Sequence, residues 1–241
     1  MSEGMASLAH SSQGRKALIV GASRGLGLAL AREYLRRRWH VTATARVPSD
    51  TQLHALAGLA YGRLKPEIVD INDVEQLHAL RGRISEALDL LIVNAGVASN
   101  PPTLSVGEVS TEEFTRIMIT NVLSPMRTVE LFGKLVSSTG TIVVMSSGLA
   151  SVADNERGIW EIYSCSKAAL NQLMRSYAAR HRGDTRAMLL IAPGWTRTDM
   201  GGPDAPLRME DTIPKLVDTI EANWGRPGLS YLDYQGSTVR W

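Results

Sequence analysis

One cysteine, Cys165, stands in a chain of 241 residues, so no intrachain disulfide can form and no zinc cluster can be built on thiolates. A reducing compartment suits such a chain, and the cytoplasm is its expected location. The five histidines fall at no metal-ligand spacing, and no metal is expected. No apolar run approaches the roughly 18 residues that a spanning helix needs, and the first residues lack the basic start and apolar stretch of a signal peptide. A soluble protein without a membrane partner is expected. Excess charge is missing too, since a net charge of +2 gives no electrostatic reason for a polyanionic partner such as nucleic acid. The clearest basic run, Arg36, Arg37 and Arg38, falls where a helix should end; cations complement the helix dipole there, and the run reads as a solvated helix end. Residues 1–14, rich in Ser, Gly and Ala and without period, read as a flexible leader outside the fold.

What remains alternates between two periods. Residues 16–20 form a short apolar run closed by Gly21, after which Leu26, Leu30 and Tyr34 recur at helical spacing. Further strands are expected at 41–45, 67–69, 88–93, 140–145, 187–192 and 229–234, with Pro66 at the start of its strand or on a sheet edge. The almost continuously apolar segment 88–93 suits a parallel strand buried on both faces. Residues 112–136 and 163–181 are long enough for helices, the second burying Leu170, Leu173, Met174 and Tyr177 as a stripe. Neither an internal repeat nor a long linker divides the chain. The expected fold is α/β: one Rossmann-type domain over 15–241, a doubly wound parallel sheet of about seven strands with helices on both faces. Ligands bind such a sheet at the carboxyl ends of its strands, so functional residues belong in the turns after residues 20, 45, 93, 145 and 192.

Distinctive residues do fall there. Gly21, Gly25 and Gly27 give a GxxxGxG pattern between the first strand and its helix, where absent side chains let a pyrophosphate approach the backbone and the helix N-terminus. Packing alone could also use glycines in that turn. Tyr163 and Lys167 lie four residues apart, on one face of a helix. A free tyrosine ionises near pH ~10, so a base at neutrality needs its phenolate stabilised by about 3 to 4 kcal/mol, which a nearby ammonium can supply. An isolated YxxxK also fits a helix on which the tyrosine packs and the lysine stays wet. Ser146 and Ser147 end a strand, where a hydroxyl could bind a substrate oxygen or simply form a turn. Cys165 is turned to another face and reads as a small packed residue.

In order and spacing, the GASRGLG turn at 21–27, Asn94-Ala95-Gly96, Asn121, Ser147 and YSCSK at 163–167 resemble the short-chain dehydrogenase/reductase family, over about residues 16–234. The segment PGWTRTDMGG resembles a subgroup of small carbonyl reductases that includes C-factor-like signalling relatives. The resemblance implies an oxidoreductase that moves a hydride between a nicotinamide and a carbonyl or alcohol. It assigns proton transfer to Tyr163, lowering of the tyrosine pKa and a ribose contact to Lys167, substrate orientation to Ser147, and support of a proton-relay water to Asn121. Ser147 lies further from Tyr163 than the family usually has it, with 154–158 as the extra loop and Ser146 as a second candidate. The implied cofactor residues are Gly21, Ser23, Arg24, Gly25, Leu26 and Gly27 in the turn, Asp70 and Ile71 beside the adenine, and Asn94, Ala95 and Gly96 along the ribose. Tyr163 and Lys167 join them, with Pro193, Gly194, Thr196 and Thr198 at the nicotinamide carboxamide. Asp70 could instead cap a helix, and 94–96 could serve the sheet as much as the ligand. The family also implies a homodimer or homotetramer assembled through the helices at 112–136 and 163–181.

Enzymes that prefer NAD carry an acidic residue after the second strand, whereas Thr44-Ala45-Arg46 offers a guanidinium there. Arg24 adds a second cation and Ser23 a hydroxyl, so NADP(H) is expected in preference to NAD(H). Trp160, Trp195, Leu149 and Met200 read as an apolar wall for a hydrophobic ketone, aldehyde or alcohol. The competing reading is an NADP sensor or signalling protein that catalyses little; its mark would be a lost catalytic residue, and Asn121, Ser147, Tyr163 and Lys167 are all present.

Overall fold

The computed structural model describes residues 14–47 and 51–241, so the expected leader lies outside the described residues except for Gly14. Strands β1 (Lys16–Val20), β2 (His40–Ala45), β3 (Leu64–Ile68), β4 (Leu88–Val93), β5 (Val136–Met145), β6 (Ala187–Ala192) and β7 (Gly228–Asp233) form one sheet of seven strands in the order β3-β2-β1-β4-β5-β6-β7. Every neighbouring pair is parallel. The helices are α1 (Gly25–Arg36), α2 (Thr51–Leu59), α3 (Val74–Arg83), α4 (Thr111–Met118), α5 (Ser124–Phe132), α6 (Glu161–Arg180) and α7 (Met209–Ala222).

The two-residue period of a strand divides its side chains between two cores. Leu90 and Ile92 of β4 pack with Leu30 and Tyr34 of α1, Leu53 of α2 and Leu216 of α7. Leu91 and Val93 face the other way, against Leu80 of α3, Phe132 of α5 and Leu170 of α6. Both faces are covered, and this is why the central strands are apolar throughout. All six residues of β6 are buried. Among the described residues no helix is long and apolar enough to cross a membrane.

The departures from expectation have local causes. Strand β3 begins at Leu64, earlier than expected, and Pro66 lies inside it, on a sheet edge as one of the two expectations had it, because β3 pairs with β2 alone. Strand β5 begins at Val136, earlier than the apolar run suggests, and its register against β4 shifts between Leu88 and Leu90. The helix expected over 112–136 is three pieces: α4, a π-helical turn at Ile119–Leu123, and α5, followed by a 3₁₀ turn at Gly133–Leu135. Pro125 in the first turn of α5 has no N–H to give the carbonyl four residues back, that of Asn121, and the helix widens around that residue. On α6, Leu170, Met174 and Tyr177 are buried as expected, but Leu173 is 40% exposed. Nor are the arginines after α1 simply solvated: Arg37 pairs with Glu33 at 2.8 Å, Asp218 at 2.6 Å and Glu221 at 2.7 Å, tying α1 to α7.

Strand order reverses between β1 and β4, so the connections leaving their carboxyl ends diverge to opposite faces and open a crevice.

Candidate functional site

The glycine turn floors that crevice. Gly21 has φ of 91°, and a Cβ there would lie 2.7 Å from the backbone of Ala95. At Gly27 a Cβ would stand 2.1 Å from the Gly21 carbonyl oxygen, so any side chain at either position would force the turn off β4. Asn94 Nδ2 donates to the Gly21 carbonyl at 2.6 Å, and the buried Thr44 Oγ1 accepts from the Gly21 N–H at 3.0 Å. Asn94 therefore braces the turn. No side chain caps the N-terminus of α1, so the first-turn N–H groups from Gly25 to Gly27 remain open to an anion.

Ser23, Arg24, Leu26, Arg46, Asp70, Ile71, Ala95, Gly96, Thr198 and Met200 line the crevice with Gly21 and Gly25. Arg24 and Arg46 are both exposed at its rim. Arg24 Nη1 lies 3.0 Å from the Asp199 carboxylate, while Arg46 has no ion-pair partner among the described residues. Asp70 Oδ1 accepts from the Asn72 N–H at 2.9 Å, whereas the cap of α3 is Asp73, which accepts from the Gln76 N–H. The capping alternative for Asp70 is thereby removed.

A second group of residues meets at the end of β5 and the start of α6. Lys167 is buried and donates from Nζ to the Met145 carbonyl at 2.9 Å. Its ammonium lies 5.8 Å from the centroid of the Tyr163 ring. Burial lowers the Lys167 pKa to about 8. Burial also pushes Tyr163 up to about 12, opposed by a hydrogen bond with the Ser147 side chain. Ser147 Oγ accepts from the Leu149 N–H at 3.1 Å as well. Ser146 is excluded as its substitute: it is buried and turns its hydroxyl away, to Asn171 Oδ1 at 2.6 Å.

Asn121, fully buried in the π turn, accepts from the Val97 N–H at 2.8 Å and donates to the Val97 carbonyl at 2.8 Å. It also donates to Ser166 Oγ at 2.9 Å, and Ser166 in turn donates to the Tyr163 carbonyl at 2.7 Å. A Cβ on Gly96 would stand 3.4 Å from both Asn121 Oδ1 and Lys167 Nζ, so the β4 turn, the π turn and α6 meet at Gly96.

After β6 the expected residues separate. Thr198 lines the crevice, its methyl 3.7 Å from where a Gly25 Cβ would stand. Thr196 is buried, with its hydroxyl directed at the Pro193 and Gly194 carbonyls of its own turn. Pro193 and Gly194 shape that turn and do not line the crevice. The four members of the apolar wall do not share one cavity. Trp160 packs edge-on against Tyr163, with centroids 5.7 Å apart, and Met200 reaches the crevice, whereas Trp195 is 55% exposed. Leu149 is half-buried in the turn after Ser147. Cys165 is exposed, not packed. Thr120 and Asp199 also line the crevice, and neither carries a local motif that would have marked it in the sequence.

The short chain dehydrogenase family model matches residues 15–208. The chain is 33% identical over 156 residues to the C-signal protein of Myxococcus xanthus, covering 64% of this chain and 93% of that protein. A crystal structure of a short-chain dehydrogenase/reductase from Burkholderia multivorans with bound NADP superposes with a TM-score of 0.92 at 54% identity, covering 94% of this chain and 99% of that one. A carbonyl reductase from Pseudomonas aeruginosa in complex with NADP gives a TM-score of 0.88 at 35% identity, covering 95% and 100%.

Proposed function

Since the chain belongs to the short-chain dehydrogenase/reductase family and is similar to its carbonyl-reductase members, we propose that it reduces a carbonyl, or oxidises the matching alcohol, with NADP(H) and Tyr163 as general acid and base. The observation that carries the proposal is the meeting of Tyr163, the buried Lys167 and Ser147 at one end of the crevice strands. The crevice fits a dinucleotide in three respects: the uncapped α1 N-terminus, the glycine floor that a Cβ would fill, and two arginines at the rim. Gly21 to Gly27 would hold the pyrophosphate, Arg46 and Arg24 the 2'-phosphate, Asp70 and Ile71 the adenine, and Thr198 the nicotinamide end. The Burkholderia and Pseudomonas relatives were both crystallised with NADP, which supports this choice.

Bound NADP(H) supplies or accepts the hydride. In reduction, the Ser147 and Tyr163 hydroxyls donate to the carbonyl oxygen, and Tyr163 passes its proton to that oxygen as negative charge grows there. Burial that holds Tyr163 near about 12 keeps the acid protonated at neutral pH. Lys167, held near about 8, is mostly cationic at pH ~7, and its field stabilises the tyrosinate left behind. Asn121 steadies the β4 turn and α6 around Gly96, and so holds Lys167 and Tyr163 in register.

The test is a titration with NADPH and with NADH, followed by NADPH oxidation against a panel of ketones, aldehydes and the aromatic diketone benzil. Tyr163→Phe should leave NADPH affinity in place and remove about 10²- to 10⁴-fold of turnover. Tight binding without turnover would indicate a sensor, and failure to bind either nucleotide would exclude both.

A further inference from the structure

Ser147 lies beyond the support of the sheet. The β5–β6 ladder ends at the Met145–Ile191 pair, and the last backbone tie is the Ser146 N–H to the Ile191 carbonyl at 2.8 Å. Past it begins the loop toward Tyr163, so the backbone of Ser147 must be fixed by other groups.

Those groups come from the far end of the chain. After β7 the backbone turns at 233–236 and runs back antiparallel, with the Asp233 N–H donating to Ser237 at 2.9 Å and the Val239 N–H to Tyr231 at 2.9 Å. Residues 239–241 then reach that loop: Arg240 ion-pairs with Asp154, and the Ala153 N–H donates to the Trp241 carbonyl at 3.1 Å. The Trp241 ring packs on Tyr231 at 5.4 Å between centroids, with the Arg175 guanidinium 4.4 Å from the tryptophan centroid. Tyr231 is buried, and its hydroxyl donates to the Ser147 carbonyl, which also accepts from the Ala150 N–H at 3.0 Å.

We infer that Tyr231 is a positioning residue for the proposed reaction: its hydroxyl, backed by Trp241, anchors the Ser147 carbonyl and so aims the Ser147 hydroxyl at the substrate oxygen. Two protein donors fix that carbonyl and the Leu149 N–H occupies one acceptor site of the hydroxyl, leaving the serine proton for Tyr163 or the substrate. The segment 237–241 and the loop at 151–155 thus form one clamp, with Tyr231 as its contact to the site. The inference rests on the proposed roles of Ser147 and Tyr163.

Tyr231→Phe keeps the ring and its packing on Trp241 and removes only the hydroxyl. With NADPH and the carbonyl of the panel that the wild type reduces fastest, kcat is expected to fall at least about tenfold, given that misplacing a reacting group by ~1 Å costs about 10²-fold. The NADPH dissociation constant should stay within about twofold, because Tyr231 is not among the crevice residues. The same substitution on a Ser147→Ala background should cost less than about twofold, since the group it aims is gone. Trp241→Leu should lower kcat with the same dependence on Ser147, and thermal melting of each variant establishes that it is folded. An unchanged kcat in Tyr231→Phe, an equal loss on the Ser147→Ala background, or a parallel loss of NADPH affinity would overturn the inference. Should Tyr163→Phe abolish turnover while Tyr231→Phe leaves kcat unchanged, the inference alone fails. If the wild type does not turn over, or Tyr163→Phe leaves turnover intact, the reading of the site fails and the inference with it.

Discussion

Lys167 enters the site with its charge already weakened. A buried ammonium whose protein acceptor is the Met145 carbonyl gives up its proton at about 8 instead of its ordinary 10.5. The cation proposed to stabilise a Tyr163 phenolate is therefore lost as pH rises past about 8, while Tyr163 itself stays protonated to about 12. The kcat/KM for reduction should be level below that point and decline above it; a profile flat through pH ~10 would refute the role given to Lys167. Stability moves the other way. The unfolded chain binds more protons between about 8 and 10.5, so the penalty of burying Lys167 is full below that window and relieved as pH rises through it. Lys167→Met should accordingly raise Tm most below pH ~8 and lose that advantage by pH ~10.5, while abolishing turnover. Glycines allow an equally local contrast. Gly27→Ala would drive a Cβ to 2.1 Å from the Gly21 carbonyl oxygen and should lower Tm and abolish NADPH binding. Gly82 lies in α3, and a Cβ there would meet nothing within 4 Å, so Gly82→Ala should raise stability by up to ~1 kcal/mol.

The π turn between α4 and α5 is the element on which the site most depends. It buries Asn121 where its amide satisfies both backbone groups of Val97 and the Ser166 hydroxyl. Asn121→Ala takes this partner from both backbone groups of Val97, while Ser166 keeps its bond to the Tyr163 carbonyl, at about 1 to 3 kcal/mol for each Val97 group that stays dry. A net loss of about 3 kcal/mol would lower Tm by roughly 6 to 12 °C in a domain of this size, and thermal unfolding measures it. A shift under about 2 °C would show that water replaces the amide. None of this is legible in the sequence: the turn arises from one missing N–H at Pro125 and from a partner 24 residues away, and neither alters the hydrophobic period. The strands and the glycine turn are legible because period and steric demand are local properties. Helical geometry puts Tyr163 and Lys167 on one face, but they are legible as a site only through the resemblance carried by the five motifs in order. The start of β3 escapes the sequence because an edge position excuses Pro66, and edges are settled by the whole sheet. The inward turn of Ser146 to Asn171 and of Thr196 to its own carbonyls likewise depends on contacts that adjacent residues do not encode.

At the scale of the molecule, the sheet brings together three loops that are remote in sequence: the turn after β1 with Arg24, the end of β2 with Arg46, and the turn after β6 with Thr198 and Asp199. Their charges are not equivalent. Arg24 is engaged by Asp199 at 3.0 Å across the crevice, an exposed pair that is weak in water, while Arg46 faces the crevice without such a partner among the described residues. In the proposed placement a 2'-phosphate would meet Arg46, unpaired among the described residues, and Arg24, which must first leave, or share, a carboxylate. Arg46→Ala should weaken NADPH binding by about 2 kcal/mol, roughly 30-fold, and NADH binding by less than about twofold. Arg24→Ala should cost less, because part of its charge is already compensated. Asp199→Asn should tighten NADPH binding several-fold at low ionic strength, an advantage that fades as salt screens the exposed charges. Parallel titrations of each variant with the two nucleotides separate these outcomes. Equal losses of NADPH and NADH affinity in Arg46→Ala would place that guanidinium on a phosphate common to both cofactors, and would leave the choice between them to Ser23 and Arg24.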